Sequence, residues 1–573
     1  RTGHARNVRV WPEAAYGWAP KDLKYRWHWT FPIHVSEHKK HAVYVGSQYV
    51  HRSTDLGQSW EVISPDLTLN LKSHQQNSGG IAIDNLMTFD GSVLFAINES
   101  PLKQGLIWVG SNDGQVHLTR NGGRTWINVS GNINMPPWGT ISNIEASRFD
   151  PKTAYISVDF HQMGDFDPYI YKTTDYGKSW KKISGNIPKS YSSFVHVVKE
   201  DPKQESVLYA GTDNSVYVSV DGGNYWTKIN SNLPPAPVYW ITIQEHFDDM
   251  VIGTYGRGFY ILDDISPFRE MANSNQNEVH FMPIQDAYRF QQIQSMKNDG
   301  TSLIRGQNPS YGANIDFFLP DTNNQEVTIS IQDLSGNEIR KITPRKITAG
   351  VNRIMWDLRY ERTKTPKLRV NPYDVDWVTY NEDGWRPLRT WDIDVNNGKL
   401  GPKAIPGNYQ AVLNIDGEKY SQTFQVLKDP NTAGSLKDIK AQFKYLMTLR
   451  SVINNNVDLI NKIEEIRYSL QNDYENVFEK KARADQLDQQ LYEVESHLFD
   501  VKLTGAREDA FRNPNKIYGR LCALASDLTR YGADFKPTNQ QIEVAELLID
   551  RLQKQEIEFE VLVNDDFFDS EKK

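Results

Sequence analysis

Four copies of one short frame, Ser/Thr-x-Asp-x-Gly-x-x-Trp, constrain the fold of this chain more than any other feature. They read Ser53-Thr54-Asp55-Leu56-Gly57-Gln58-Ser59-Trp60, Thr119-Arg120-Asn121-Gly122-Gly123-Arg124-Thr125-Trp126, Thr173-Thr174-Asp175-Tyr176-Gly177-Lys178-Ser179-Trp180 and Ser219-Val220-Asp221-Gly222-Gly223-Asn224-Tyr225-Trp226. The Trp-to-Trp intervals are 66, 54 and 46 residues. In each copy the side-chain oxygen of Asp55, Asn121, Asp175 or Asp221 can accept backbone N–H bonds inside a tight turn. The Gly supplies a positive φ, and Trp60, Trp126, Trp180 and Trp226 open the next strand as apolar anchors. These eight residues therefore read as structural, with the four indoles expected to be buried between sheets. A repeat of this length suits one four-stranded propeller blade per copy.

The frame resembles the Asp-box, or bacterial neuraminidase repeat, shared by sialidases, xyloglucanase-type glycosidases and the sortilin ectodomain. Ile63-Ser64-Pro65-Asp66-Leu67-Thr68, Gly46-Ser47-Gln48 and Tyr255-Gly256-Arg257 further resemble large bacterial sortilin-like proteins with two such propellers followed by smaller domains. The resemblance implies boxes at the blade periphery, six or seven blades in a complete ring, and a location outside the cytoplasm: periplasmic, outer-membrane-associated or secreted.

At 573 residues the chain exceeds what one hydrophobic core supports, so several domains are expected. A net charge of −8 from interspersed acids and bases provides no basic stripe, which argues against nucleic acid as a partner. The lone Cys522 excludes an internal disulfide. No apolar run is long enough for a transmembrane helix, and the first residues resemble no signal peptide, so the chain is expected to be a processed or truncated piece.

Taken in order, residues 1–25 contain the strand-like run Asn7-Val8-Arg9-Val10-Trp11, expected to end a preceding blade or propeller. Residues 26–265 form the propeller, in which Tyr44-Val45-Gly46, Trp108-Val109-Gly110 and Tyr209-Ala210-Gly211 mark recurring strands. Polar residues 266–310 read as a linker. The strand period returns in 311–428, where Gly350-x-Asn352-x-x-x-Trp356-Asp357-Leu358 and Pro406-Gly407-x-Tyr409 resemble an immunoglobulin-like β-sandwich of the flagellar hook-capping type, with 360–400 as an inserted loop. Helical periodicity then predicts an antiparallel four-helix bundle over 429–563, its last seam being Ile542, Ala545, Ile549 and Leu552, and a disordered tail over 564–573. The fold class is thus multidomain and mainly β: a partial Asp-box propeller, a sandwich and a C-terminal helical bundle.

Chemistry in a propeller belongs at the mouth of its channel. The catalytic candidates there are Glu99, Asp113, Asp159 and Asp213, with Glu145 beside them; His34, His161, Tyr255 and Arg257 are the ligand-binding candidates. A glycosidase requires two carboxylates about 5 to 9.5 Å apart. A sialidase needs an Arg-Ile-Pro segment, and none occurs. His34 and His38 lie four residues apart on a strand, too far to share one ion, so no metal and no cofactor is expected. Two readings remain: a non-catalytic scaffold whose propeller face takes protein or peptide, and a glycoside hydrolase acting on polysaccharide. About five blade units cannot comfortably close a ring, so the propeller is expected to be completed from outside residues 1–573, by an N-terminal region or a cleaved partner chain.

Overall fold

In the computed structural model, the structure describes residues 3–79, 85, 92–229, 232–290, 306, 308–321, 326–373, 378–386, 398–473, 478–502, 513–529 and 534–564. They fall into two compact units, Arg1–Asn275 and Gln276–Lys573.

The first unit is a run of antiparallel sheets, each a meander with its strands in chain order. Blade one is β1 (Ile33–Val35), β2 (Val43–Gly46), β3 (Val50–Ser53) and β4 (Glu61–Val62). Blade two is β5 (Leu94–Glu99), β6 (Ile107–Ser111), β7 (Val116–Thr119) and β8 (Ile127–Asn128). Blade three is β9 (Thr140–Ala146), β10 (Ala154–Asp159), β11 (Tyr169–Thr173) and β12 (Lys181–Lys182). Blade four is β13 (Val195–Glu200), β14 (Leu208–Thr212), β15 (Val216–Ser219) and β16 (Thr227–Lys228). Blade five has three strands, β17 (Val238–Gln244), β18 (Asp249–Thr254) and β19 (Phe259–Leu262). The first strands β1, β5, β9, β13 and β17 stand side by side in succession, which makes the unit an arc of β-propeller blades with these strands innermost.

Each box folds as its residue types dictate. Ser53 Oγ donates to Asp55 Oδ1 at 2.8 Å and accepts from Gly57 N, while Asp55 Oδ1 accepts from Ser59 N at 3.0 Å. Thr119/Asn121, Thr173/Asp175 and Ser219/Asp221 repeat the set. Gly57, Gly123, Gly177 and Gly223 take the positive φ the turn requires. The expectation that all four indoles are buried needs correction: Trp60, Trp126 and Trp180 are half-buried, and Trp226 alone is fully covered. The reason is that the indole lies along the outer rim, reaching the blade before it. Trp126 Nε1 donates to Ile63 O at 3.0 Å and Trp226 Nε1 to Ile183 O at 2.6 Å, each acceptor following that blade's fourth strand.

The stretch read as a linker is not featureless. It contains the helix α1 (Ser266–Asn273), whose Phe268 and Ala272 pack on the core between blades four and five, and two short strands of the second unit, β20 (His280–Phe281) and β21 (Ala287–Tyr288).

In the second unit β20 joins β22 (Ala313–Leu319) and β25 (Gly350–Trp356), while β21 joins β27 (Glu418–Leu427), β26 (Gly407–Ile415), β23 (Val327–Asp333) and β24 (Glu338–Ile342). The two sheets enclose one core around Phe317, Ile329, Trp356, Leu413 and Phe424. Among the described residues four helices follow, α2 (Leu436–Asp473), α3 (Phe478–Leu498), α4 (Ile517–Thr529) and α5 (Asn539–Val563), packed about a common core. Thr538 is the N-cap of α5 in a capping box with Gln541. The last seam is Ala545, Leu548, Leu552 and Phe559, whereas Ile542 is 39% exposed. The tail from 565 lies outside the described residues. No helix among the described residues is long and apolar enough to cross a membrane.

Candidate functional site

The innermost strands of all five blades line one concavity of about 580 Å³. Its polar groups come mainly from β5, β9 and β13, and its broad rings are Phe31, Phe95, Tyr239 and Trp240.

Four carboxylates line it, and each already has partners. Glu99 is buried and accepts from Ser36 Oγ, from Tyr44 OH at 3.2 Å and from Gly105 N at 2.8 Å. Glu145 is 2.6 Å from Lys199 Nζ. Asp159 accepts from the backbone N of His161 at 2.9 Å and lies 2.8 Å from its Nδ1. Glu37 lies 3.5 Å from Arg148, which also meets Glu245 at 3.0 Å.

The imidazoles divide by environment. The hydrogen bond with Asp159 raises the His161 pKa, so this ring gains a proton more readily than free histidine. Burial takes His34 the other way, to about 4, with Glu99 opposing and Lys199 assisting; it is neutral at physiological pH, and its Nε2 is buried with no hydrogen-bond partner among the described residues. His196 stacks on Tyr239 with centroids 4.0 Å apart, and its Nε2 is held 3.0 Å from Asp213 Oδ1. Lys199 Nζ sits 4.9 Å above the Trp240 ring.

Of the sequence candidates, Glu99, Asp159, His34, His161 and Glu145 line the concavity. Asp113 does not: it is buried in a turn, accepting from Ser111 Oγ and from Leu69 N at 2.9 Å. Asp213 stands behind His196 and positions it. Tyr255 and Arg257 are exposed on the loop after β18, Tyr255 touching the concavity only through Tyr239, 5.6 Å away. Sequence reasoning missed Arg148, His196, Lys199, Tyr239 and Trp240. A signal existed for Trp240: it pairs with Gly253 on the neighbouring strand, as Ala96 pairs with Gly110, so counting back from the recurring Gly finds the inner strand. No group of three or more His, Cys, Asp or Glu among the described residues is placed to hold a metal ion.

The sheets and this concavity define the first unit as a β-propeller arc with a polar, aromatic-sided inner face. No family model matches the chain, and no curated protein matches it. Among solved structures it is similar to a GH74 xyloglucanase from Xanthomonas campestris, at 18% identity over 40% of this chain and 36% of that one, TM-score 0.31. It is also similar to an ancestral GH74 enzyme, at 14% identity over 59% and 40%, TM-score 0.32. A third is YCF48 from Cyanidioschyzon merolae, at 17% identity over 40% and 68%, TM-score 0.22. The chain spans about two fifths of the length of the GH74 structures. Likenesses this distant carry no argument about activity, and the propeller assignment rests on the sheets themselves.

Proposed function

We propose that the inner face of the propeller is a non-catalytic binding surface for a protein or peptide. One observation carries the reading: Glu37, Glu99, Glu145 and Asp159 are each engaged by a hydroxyl, an N–H or a basic side chain. A glycosidase needs one carboxyl free to give a proton and a second free to attack or to activate water. The same surroundings suit recognition. Trp240 and Tyr239 provide flat apolar contact, while His161 and the Lys199–Glu145 pair provide hydrogen bonds along an extended backbone.

The test is selection of a displayed peptide library on the full chain, with the selected peptides titrated calorimetrically. Peptides that bind at micromolar concentration and lose about tenfold or more with Trp240→Ala support the reading. Release of reducing sugar from a β-glucan or xyloglucan, abolished by Glu145→Gln or Asp159→Asn, overturns it in favour of a hydrolase.

A further inference from the structure

Three cations of the second unit converge on one point. Arg289 follows β21, where its backbone N donates to Leu427 O at 3.0 Å. Arg359 follows β25 and faces Lys403 across an antiparallel bridge, with Tyr360 N donating to Pro402 O at 2.9 Å beside it. Their side chains line a small cavity of about 10 Å³, bounded on its other side by Phe443 and Leu446 of α2 and by the last turn of α4. Arg289 is 5% exposed, and Arg359 and Lys403 are half-buried.

The described acidic groups do not balance this charge. Arg289 Nη1 lies 3.0 Å from Asp534 Oδ1, a carboxylate that also accepts from Thr432 Oγ1 at 2.9 Å. The approach is not aligned as a hydrogen bond, and Arg289 Nε and Nη1 are both buried with no hydrogen-bond partner among the described residues. Arg359 donates to carbonyls, Gly401 O at 2.9 Å and Thr529 O at 3.4 Å. Lys403 Nζ donates to Phe290 O at 3.1 Å. An arginine keeps its proton in a protein, so the charges on Arg289 and Arg359 persist whatever their burial. Burial lowers the pKa of all three groups, and Lys403 falls to about 8, with Arg359 and then Arg289 adding to that and Asp534 and Asp429 opposing it. Buried like charges without full pairing are costly, and an anion among them offsets the cost.

We propose that Arg289, Arg359 and Lys403 hold one small inorganic anion of the halide class, chloride under physiological conditions, between the sheets and the helices of this unit. The cavity sets the size: it has room for about one water-sized group, which excludes phosphate, sulfate and carboxylates. The lining sets the sign, because two guanidinium groups and an ammonium carry donors and no acceptor, while Phe443 and Leu446 offer nothing polar. A water of the same size would leave the charge unbalanced. Bound there, the ion ties the ends of β21 and β25 to α2 and α4, so it stabilises the packing of sheets on helices. The site is independent of the propeller's inner face.

Crystals of the full chain grown in bromide test this directly. Anomalous diffraction at the bromine edge should show a peak within hydrogen-bonding reach of Arg289 and Lys403. In solution, the melting temperature at constant ionic strength should rise as bromide or chloride replaces gluconate, an anion too large for the cavity, and the rise should follow the logarithm of halide concentration once the site is filled. Arg289→Met and Lys403→Met should each lose most of that rise. A peak with no halide effect on melting means an adventitious ion only and overturns the proposal. So does a halide effect with no peak, or a variant that folds and keeps the full rise. The peak and the titration of the wild type require no substitution, so they decide the matter even where both variants fail to fold.

Discussion

Glu200 is where blade packing and proton binding meet. It closes the junction between blades three and four, accepting from Ser147 Oγ at 3.0 Å, Arg148 N at 2.8 Å and Tyr155 OH at 3.0 Å. Burial lifts its pKa from the usual carboxylate range to about 7, the donors opposing. A carboxyl whose folded-state pKa is raised contributes stability that is fully present below its unfolded pKa and is lost as pH rises through the folded value. Chemical denaturation should therefore show stability falling from about pH 5 to pH 8 by up to roughly 3 kcal/mol from this group. Glu200→Gln should flatten that slope; an unchanged slope would locate the titration elsewhere. Glu99 makes the equivalent contact with Tyr44 between blades one and two, so its burial, legible as a carboxylate near the channel, belongs first to packing. Its Tyr partner is 55 residues away, beyond the reach of any local pattern. The boxes, by contrast, were legible because the Ser/Thr and Asp/Asn side-chain bonds that close each turn span four residues or fewer. Asn121 already makes the Asp bonds to Thr119 and Thr125, so Asp175→Asn should leave the melting temperature nearly unchanged at neutral pH.

At the scale of the blade, two pairs of substitutions separate rim from interior. Trp226 is 2% exposed, and Trp226→Ala should cost about 3 to 5 kcal/mol, whereas the half-buried Trp126 should cost distinctly less; equal losses in thermal unfolding would contradict the rim geometry. Gly211→Val should destabilise by about 1 to 3 kcal/mol because its side chain meets the Val238 backbone, while Gly253→Val, at ordinary contacts, should be tolerated. The inner strands explain why the site was only partly readable. Register shifts fall between Leu94 and Ala96, between Val195 and Val197, and between Val238 and Trp240. Each shift reverses which residues face the concavity, so alternation read through such a bulge assigns the wrong face. Trp240, just past one such shift, was missed for that reason; Asp113 lies off these strands, in the turn after β6, where its acceptor role to Ser111 and Leu69 is set by the turn.

Across the whole chain, the propeller was legible from its repeat and the helices from their period, but the path of the inserted segment was not. Residues 364–370 lie along α2. Lys364 N donates to Asn454 Oδ1, Lys367 N to Asn461 Oδ1, and Val370 N to Glu464 Oε2 at 2.7 Å. Leu368 enters the helical core fully buried. Those acceptors lie some 90 residues later in the chain, so composition alone reads the segment as a loop. Beneath it, Arg467 joins Asp488 at 2.8 Å and Glu495 within the bundle. Burial, and then the neighbouring Glu464, raise the Glu495 pKa well above the usual range. Its stabilisation is likewise present in acid and lost as pH rises, so Glu495→Gln should improve the calorimetric melting temperature more at pH 8 than at pH 5. The indole-to-carbonyl links at the rim carry a consequence of another kind. They join blade two to blade one and blade four to blade three at the periphery, in series along the arc, so a pull applied at its ends loads every junction alike and the weakest yields first. Under force the arc should shed its sheets one after another, giving a sawtooth and not a single rupture.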